Sequence, residues 1–313
     1  MGTLNLKKIK TYSAKKRKTK VALSASAKLS RPRASFAQFY SSLPHFLAAD
    51  DLKAVVDAIT RAHKTGKKVI AGMGAHVTKV GLNPIIIDLM KRKIITCIAL
   101  NGAGAIHDYE LATLGRTSED VGEGLESGMF GMVEETLTGM NEAIAQLKDE
   151  SFAPRGLGSL LGKKLAAVKA PHREQSILYN AYQLDIPVTV HVAIGTDTIH
   201  MSPKVDPRSL GEASFNDFQS LAYEISQLEG GVYLNIGSAV ILPEVFLKAL
   251  TIARNLGYKV KNFTTVNLDM QQHYRPRQNV LSRPGGKAYA LTGHHEIMVP
   301  LLYQALLESC YNK

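Results

Sequence analysis

Residues 69–108 read VIAGMGAHVTKVGLNPIIIDLMKRKIITCIALNGAGAIHD, and the order of elements in this stretch decides the fold. Residues 69–71 are apolar and run into Gly72 and Gly74 and then the polar His76 and Thr78. Ile85, Ile86, Leu89 and Met90 follow at helical spacing. Residues 94–100 are a second apolar run rich in β-branched side chains, and it ends at Gly102 and Gly104. Two consecutive strands that each empty into a glycine loop are what a parallel sheet needs at its carboxyl edge, where α/β folds bind their ligands.

The rest of the chain repeats the cadence. Leu52, Val55, Val56 and Ile59 form a helical stripe after Asp50 and Asp51, and Gly66 ends it before the first strand. Further apolar runs in residues 188–194, 230–236 and 259–266 stop at Asp197 and His200, at Gly237 and Ser238, and at Asn267 and Asp269. Helical patterns over 215–228 and 243–256 separate them. Residues 284–311 give a Gly-Gly-Lys turn, a short strand, a polar stop at Thr292–His295 and a closing amphipathic helix. Residues 151–164 read as a glycine-rich, basic linker, and residues 115–131, with five glycines, as an excursion over the sheet's edge. Alternating β and α predicts a Rossmann-like parallel sheet with helices on both faces.

Composition sets the bounds. At 313 residues the chain can bury a core without disulfides, and its two cysteines suggest neither a disulfide framework nor a Cys-rich metal site, which fits a reducing, cytoplasmic setting. No apolar run reaches the ~18 residues of a transmembrane helix. The net charge of +11 is local: of 38 Lys and Arg, eleven lie in residues 1–33, and the other 27 balance the 27 Asp and Glu. Residues 1–33 therefore read as a basic arm ahead of a single domain over 34–313. Such an arm suits a solvated tail, a weak nucleic-acid contact or an organellar address.

The candidate chemistry sits in the loops. Glycine turns let backbone approach a phosphate or ribose, although neither GMGAHV nor NGAGAI fits the dinucleotide fingerprint G-x-G-x-x-G. His76, His107, His200, His294 and His295 all fall at strand ends and, with Asp108, Glu110, Asp197 and Glu296, supply acid/base groups. Their spacing matches no metal-binding motif. Lys287, behind Pro284-Gly285-Gly286, suits an imine-forming amine, the alternative being an exposed loop lysine.

Taken in order, GLNPIIIDLMKRKIITCIALNGAGAIHD, IPVTVHVAIGTDTIHM, LEGGVYLNIGSAVILPEVFLKAL and the final HHEIMVPLL resemble the deoxyhypusine synthase family over about residues 45–310. The resemblance implies an NAD-binding Rossmann-like domain, a homo-oligomer, dimer or tetramer, with active sites across subunit interfaces, and a small amine such as spermidine as substrate. It implies oxidation by NAD and passage of an aminobutyl group, through an imine on a lysine, to a protein lysine or another amine. By position, Gly74, His76 and Lys79 would form the first NAD loop and Asn101, Gly102, Ala103, Gly104 and Asp108 the second. Asp197, Asn235, Gly237 and Ser238 would complete the cofactor site. Lys287 would form the imine, and His200 or His294 would carry the proton. The family's Trp-Gly-Lys is Gly285-Gly286-Lys287 here, and the chain has no Trp. The alternatives are a nucleotide-binding protein without aminobutyl transfer and a His/Asp metal-dependent hydrolase.

Overall fold

The computed structural model describes residues 2–149, 151, 153 and 155–311. Six strands form one parallel sheet: β1 Val69–Met73, β2 Cys97–Asn101, β3 Val188–His191, β4 Val232–Ile236, β5 Thr264–Asp269 and β6 Lys287–Thr292. Their order is β3-β2-β1-β4-β5-β6, the doubly wound arrangement in which the strand order reverses between β1 and β4 while every strand stays parallel.

Alternation along the strands explains the two layers. Val69, Ala71 and Met73 face one core with Ile98, Leu100, Val232, Leu234 and Ile236, covered by the helices Leu47–Lys64, Asn83–Lys91, Gly102–Leu114, Leu157–Ala167, Ile177–Gln183 and His295–Tyr311. Ile70, Cys97, Ala99 and Tyr233 face the other, under the helices Pro207–Ser226 and Ile241–Asn255. Strands covered on both faces are apolar at successive positions, which is why these stretches read as short continuous runs.

Three expectations change. The linker expected over 151–164 contains the Leu157–Ala167 helix, with Leu157, Leu160, Leu161 and Leu165 in the core; its residues 152 and 154 lie outside the described residues. Its glycines serve close approach: a Cβ on Gly158 would lie 2.2 Å from the Val188 carbonyl oxygen, and one on Gly162 2.6 Å from that of Leu178. The second glycine loop is a helix start, with Asn101 as N-cap accepting from the Gly104 N–H at 2.9 Å. The fifth strand begins five residues late, at Thr264, so Asn267 and Asp269 belong to it.

The basic arm runs exposed over the surface with three short 3-10 turns. It ties back through Lys28 N–H to the Ser42 carbonyl and His45 N–H to the Ala25 carbonyl, each 2.9 Å. Among the described residues no helix is long and apolar enough to cross a membrane.

Candidate functional site

At the switch point, between the carboxyl ends of β1 and β4, the loops that hold Gly74 and Gly237 touch. Gly74 N–H donates to the Ile236 carbonyl at 2.9 Å, and a Cβ on Gly74 would fall 2.1 Å from the Gly237 oxygen. Gly237 adopts φ +66°, and a Cβ there would meet the His295 ring at 2.7 Å. His295, 1% exposed, opens the last helix. Its Nε2 faces the Leu268 carbonyl at 3.2 Å, which can only accept, so Nε2 carries the proton and buried Nδ1 is left an acceptor with no partner. The His76 ring lies 5.6 Å away, tilted 60°. Gly74, His76 and Gly237 are thus brought together, and His295, one of the histidines expected at a strand end, joins them.

Asn235 and Ser238 hold the neighbouring loop. Asn235 donates through Nδ2 to the Ser238 carbonyl at 2.9 Å and to Asn267 Oδ1 at 2.7 Å, and Asn267 donates onward to Gln272. Ser238 Oγ accepts the Leu242 N–H at 3.1 Å at the start of the next helix.

On the other side of the switch point a cavity of about 490 Å³ opens over the Gly102–Leu114 helix, and its walls include Lys79, Ala103, His107, Glu110, Arg116 and Asp197. Asp197 is 7% exposed. Its carboxylate lies against the first turn of that helix, where a Cβ on Gly102 would be 2.1 Å from Oδ2. Burial raises its pKa, while nearby His200 and hydrogen bonds from the backbone of Ala193 and Ala103 oppose the rise. Oδ2 nevertheless has no hydrogen-bond partner. His200 accepts the Gly195 N–H at Nδ1, 3.1 Å, and its buried Nε2 is unpartnered.

Three predicted residues are placed elsewhere. Asp108 is fully buried on the far side of its helix. Asn83 Nδ2 and the Ile177 N–H donate to its Oδ1 at 2.8 and 2.7 Å, and Ser176 Oγ and the Leu178 N–H to its Oδ2 at 2.5 and 3.1 Å. Both oxygens are committed to fastening the Ile177–Gln183 helix, so Asp108 does not face the cavity. Lys287 opens β6 beside Thr264, at the amino edge of the sheet and exposed. The length of the strand, about 16 Å at 3.3 Å per residue, separates it from the loops at the carboxyl edge. His294 is at the carboxyl edge but open to solvent, 3.9 Å from Glu296. Within the excursion, Glu119 accepts the Gly131 N–H at 2.8 Å and clasps the loop. Among the described residues no three His, Cys, Asp or Glu side chains are grouped to hold a metal ion.

Within the cavity wall Thr117 Oγ1 donates to Glu110 Oε2 at 2.5 Å, Thr136 donates to Oε1 at 3.0 Å, and His107 Nδ1 lies 2.6 Å from Thr117 Oγ1. The sequence carries one trace of this group, the His-x-x-Glu spacing that puts His107 and Glu110 on one helix face. Thr117 and Thr136 gave no signal, because only the folding-over of residues 115–136 brings them there.

No protein-family model matches the chain, and no curated protein matches it. Solved structures do. A candidate deoxyhypusine synthase from Entamoeba histolytica superimposes with TM-score 0.56 at 12% identity, over 87% of this chain and 93% of that one. A candidate LOR/SDH protein from Methanococcus maripaludis S2 gives TM-score 0.51 at 18% identity, over 82% and 68%. AgrE, solved in a ternary complex with ornithine and NAD+, gives 0.52 at 14% identity over 82% of this chain. The match spans 32% of the AgrE chain, about a third of its length. At such identities the likeness is one of fold. The chain is a Rossmann-like α/β protein, and it shares that fold with a candidate deoxyhypusine synthase and LOR/SDH-type proteins.

Proposed function

We propose that the chain is an NAD-dependent enzyme acting on a small amine. The observation that carries this reading is Asp197: a buried carboxylate with an unpartnered oxygen, in the wall of a cavity beside the switch point of a doubly wound sheet. An unpaired buried carboxylate oxygen is costly unless a ligand donor meets it, and an ammonium group is such a donor. A neighbour of this fold binds ornithine and NAD+ together, which supports the pairing of an amine with this cofactor.

The residues present fit a dinucleotide. The glycine loops after β1 and β4 lie at the switch point, where doubly wound sheets take their ligands, and they pack closely on each other: a Cβ on Gly74 would meet the Gly237 backbone, and one on Gly237 the His295 ring. Gly74, His76, Ala103 and Gly237 would line the cofactor. Lys79, and Arg116 across the cavity, would meet its phosphates, because Asp197 already occupies the N-terminus of the Gly102–Leu114 helix. NAD supplies a hydride acceptor when bound. The chain's own part is to hold the ammonium at Asp197, to keep His200 against that carboxylate and to wall the cavity with residues 115–133.

Aminobutyl transfer, the finer reading, needs a lysine in the crevice. Lys79 is the lysine of this cavity, whereas Lys287 would have to enter the crevice of a second copy in a homo-oligomer. The basic arm remains suited to a polyanion such as RNA.

Calorimetry with NAD, followed by NADH absorbance with ornithine and spermidine as probes, tests the proposal. NAD binding and amine-dependent NADH formation are expected, with Asp197→Asn weakening the amine's KM by about 10-fold or more, the loss of a charge-assisted hydrogen bond. A wild-type protein that binds no NAD at millimolar concentration sinks the reading.

A further inference from the structure

The hydrogen bonds around His107 fix its protonation pattern. Thr117 has one hydroxyl proton, and that proton is given to Glu110 Oε2. Toward His107, 2.6 Å away, the hydroxyl oxygen can only accept. Nδ1 therefore carries the ring proton, and Nε2 is the lone-pair nitrogen of the neutral ring. Nε2 makes no hydrogen bond among the described residues, and the side chain is 18% exposed in the cavity wall. Thr136 holds the second Glu110 oxygen, so the carboxylate cannot turn away. The chain His107, Thr117, Glu110 thus has the logic of a base oriented by a hydroxyl and a carboxylate.

Burial keeps the ring neutral, and the neighbouring carboxylate leaves it able to take a proton. Burial lowers the His107 pKa, Lys79 pushes the same way, and Glu110 opposes them. Arg116, Glu119, Glu135 and Asp197 also line the cavity. Once protonated, the imidazolium faces Glu110 through one hydroxyl, which stabilises the charge.

Resting on the reading of the cavity as an amine site, we propose that His107 is its general base, removing a proton through Nε2 from a primary ammonium held at Asp197. The N–H bond of the ammonium breaks, an Nε2–H bond forms, and the electron pair stays on the substrate nitrogen. The neutral amine that results can release a hydride from its α-carbon, which an ammonium cannot. His107 gives the proton to water at the cavity mouth. This places the base on the Gly102–Leu114 helix, away from His200 and His294.

Two measurements on the full chain decide it. In ¹⁵N-histidine-labelled protein, His107 should be a neutral Nδ1–H tautomer at pH 7, and Thr117→Val should shift it toward Nε2–H. With ornithine or spermidine as probe, His107→Gln should lower kcat by about 10²- to 10⁴-fold, remove the acidic limb of the pH profile and leave NAD affinity within about 2-fold by calorimetry. An Nε2–H tautomer in the wild type, or a His107→Gln protein that turns over at the wild-type rate, overturns the assignment. So does a loss of NAD affinity in His107→Gln, which would make the residue a cofactor contact. Absence of NAD binding by the wild type, by contrast, removes the dehydrogenase reading itself, and the base with it.

Discussion

Two aspartates meet the Gly102–Leu114 helix, and the regions around them differ in one respect. Behind the helix Asp108 receives four hydrogen bonds, from Asn83, Ser176, Ile177 and Leu178. In front of it Asp197 keeps one oxygen without a partner, against the wall of a cavity. Both carboxylates are buried and both are raised by burial. A saturated buried carboxylate belongs to the architecture, whereas an unsaturated one beside a cavity is available to a ligand. The same contrast separates the Asn235–Asn267–Gln272 chain, which ties the loops after β4 and β5 together, from the His107–Thr117–Glu110 chain, which ends in an unused nitrogen.

The sharpest way to break this contrast is to remove the saturated member. Asp108→Ala strands two backbone N–H groups, a hydroxyl and an amide in the core, and is expected to cost about 3 to 5 kcal/mol in urea unfolding. Asp197→Asn, with no internal partner for Oδ2, is expected to stay within about 1 kcal/mol of wild type. Equal losses in the two variants would erase the distinction.

A smaller effect comes from pH. Asp217 is a third buried carboxyl, accepting the N–H groups of Gly158 and Val190 at 2.9 and 2.7 Å, and burial pushes it up to about 7; Asp108 rises to about 6. Each folded value lies above the unfolded value of 3.8. The folded state therefore binds more protons from about pH 4 to about pH 7, and stability falls as pH rises through that window. Between pH 5 and pH 8 the part due to Asp217 is expected to be about 2 to 3 kcal/mol. It is read as the difference between wild type and Asp217→Asn in urea midpoints at the two pH values. A difference of the opposite sign would mean that the backbone donors outweigh desolvation.

The smallest effect is predicted for Lys287→Ala. An exposed residue at the amino edge should change stability by no more than about 0.5 kcal/mol and leave NAD-dependent turnover in its own chain's crevice unchanged. Loss of turnover with NAD binding retained would place Lys287 in the crevice of a second copy.

By itself the sequence determined the repeating units. Apolar runs ending in glycine or polar residues, separated by amphipathic stretches, fixed a parallel α/β sheet and put Gly74, His76, Lys79, Ala103, Asp197 and Gly237 at its carboxyl edge, because strand and helix periods are local properties of the chain. Glycine spacing misled over residues 151–164, since glycines needed for helix-to-strand contact look the same in sequence as glycines of a linker. Only the tertiary structure decided which polar groups were consumed and which were left free. Whether Asp108 or Asp197 keeps an unpartnered oxygen depends on Ser176, nearly 70 residues away, and on Gly102, where a missing side chain lets a carboxylate settle against a helix. Lys287 and His295 are eight residues apart on one strand and the helix that follows it, yet the direction of that strand sends them to opposite edges of the sheet.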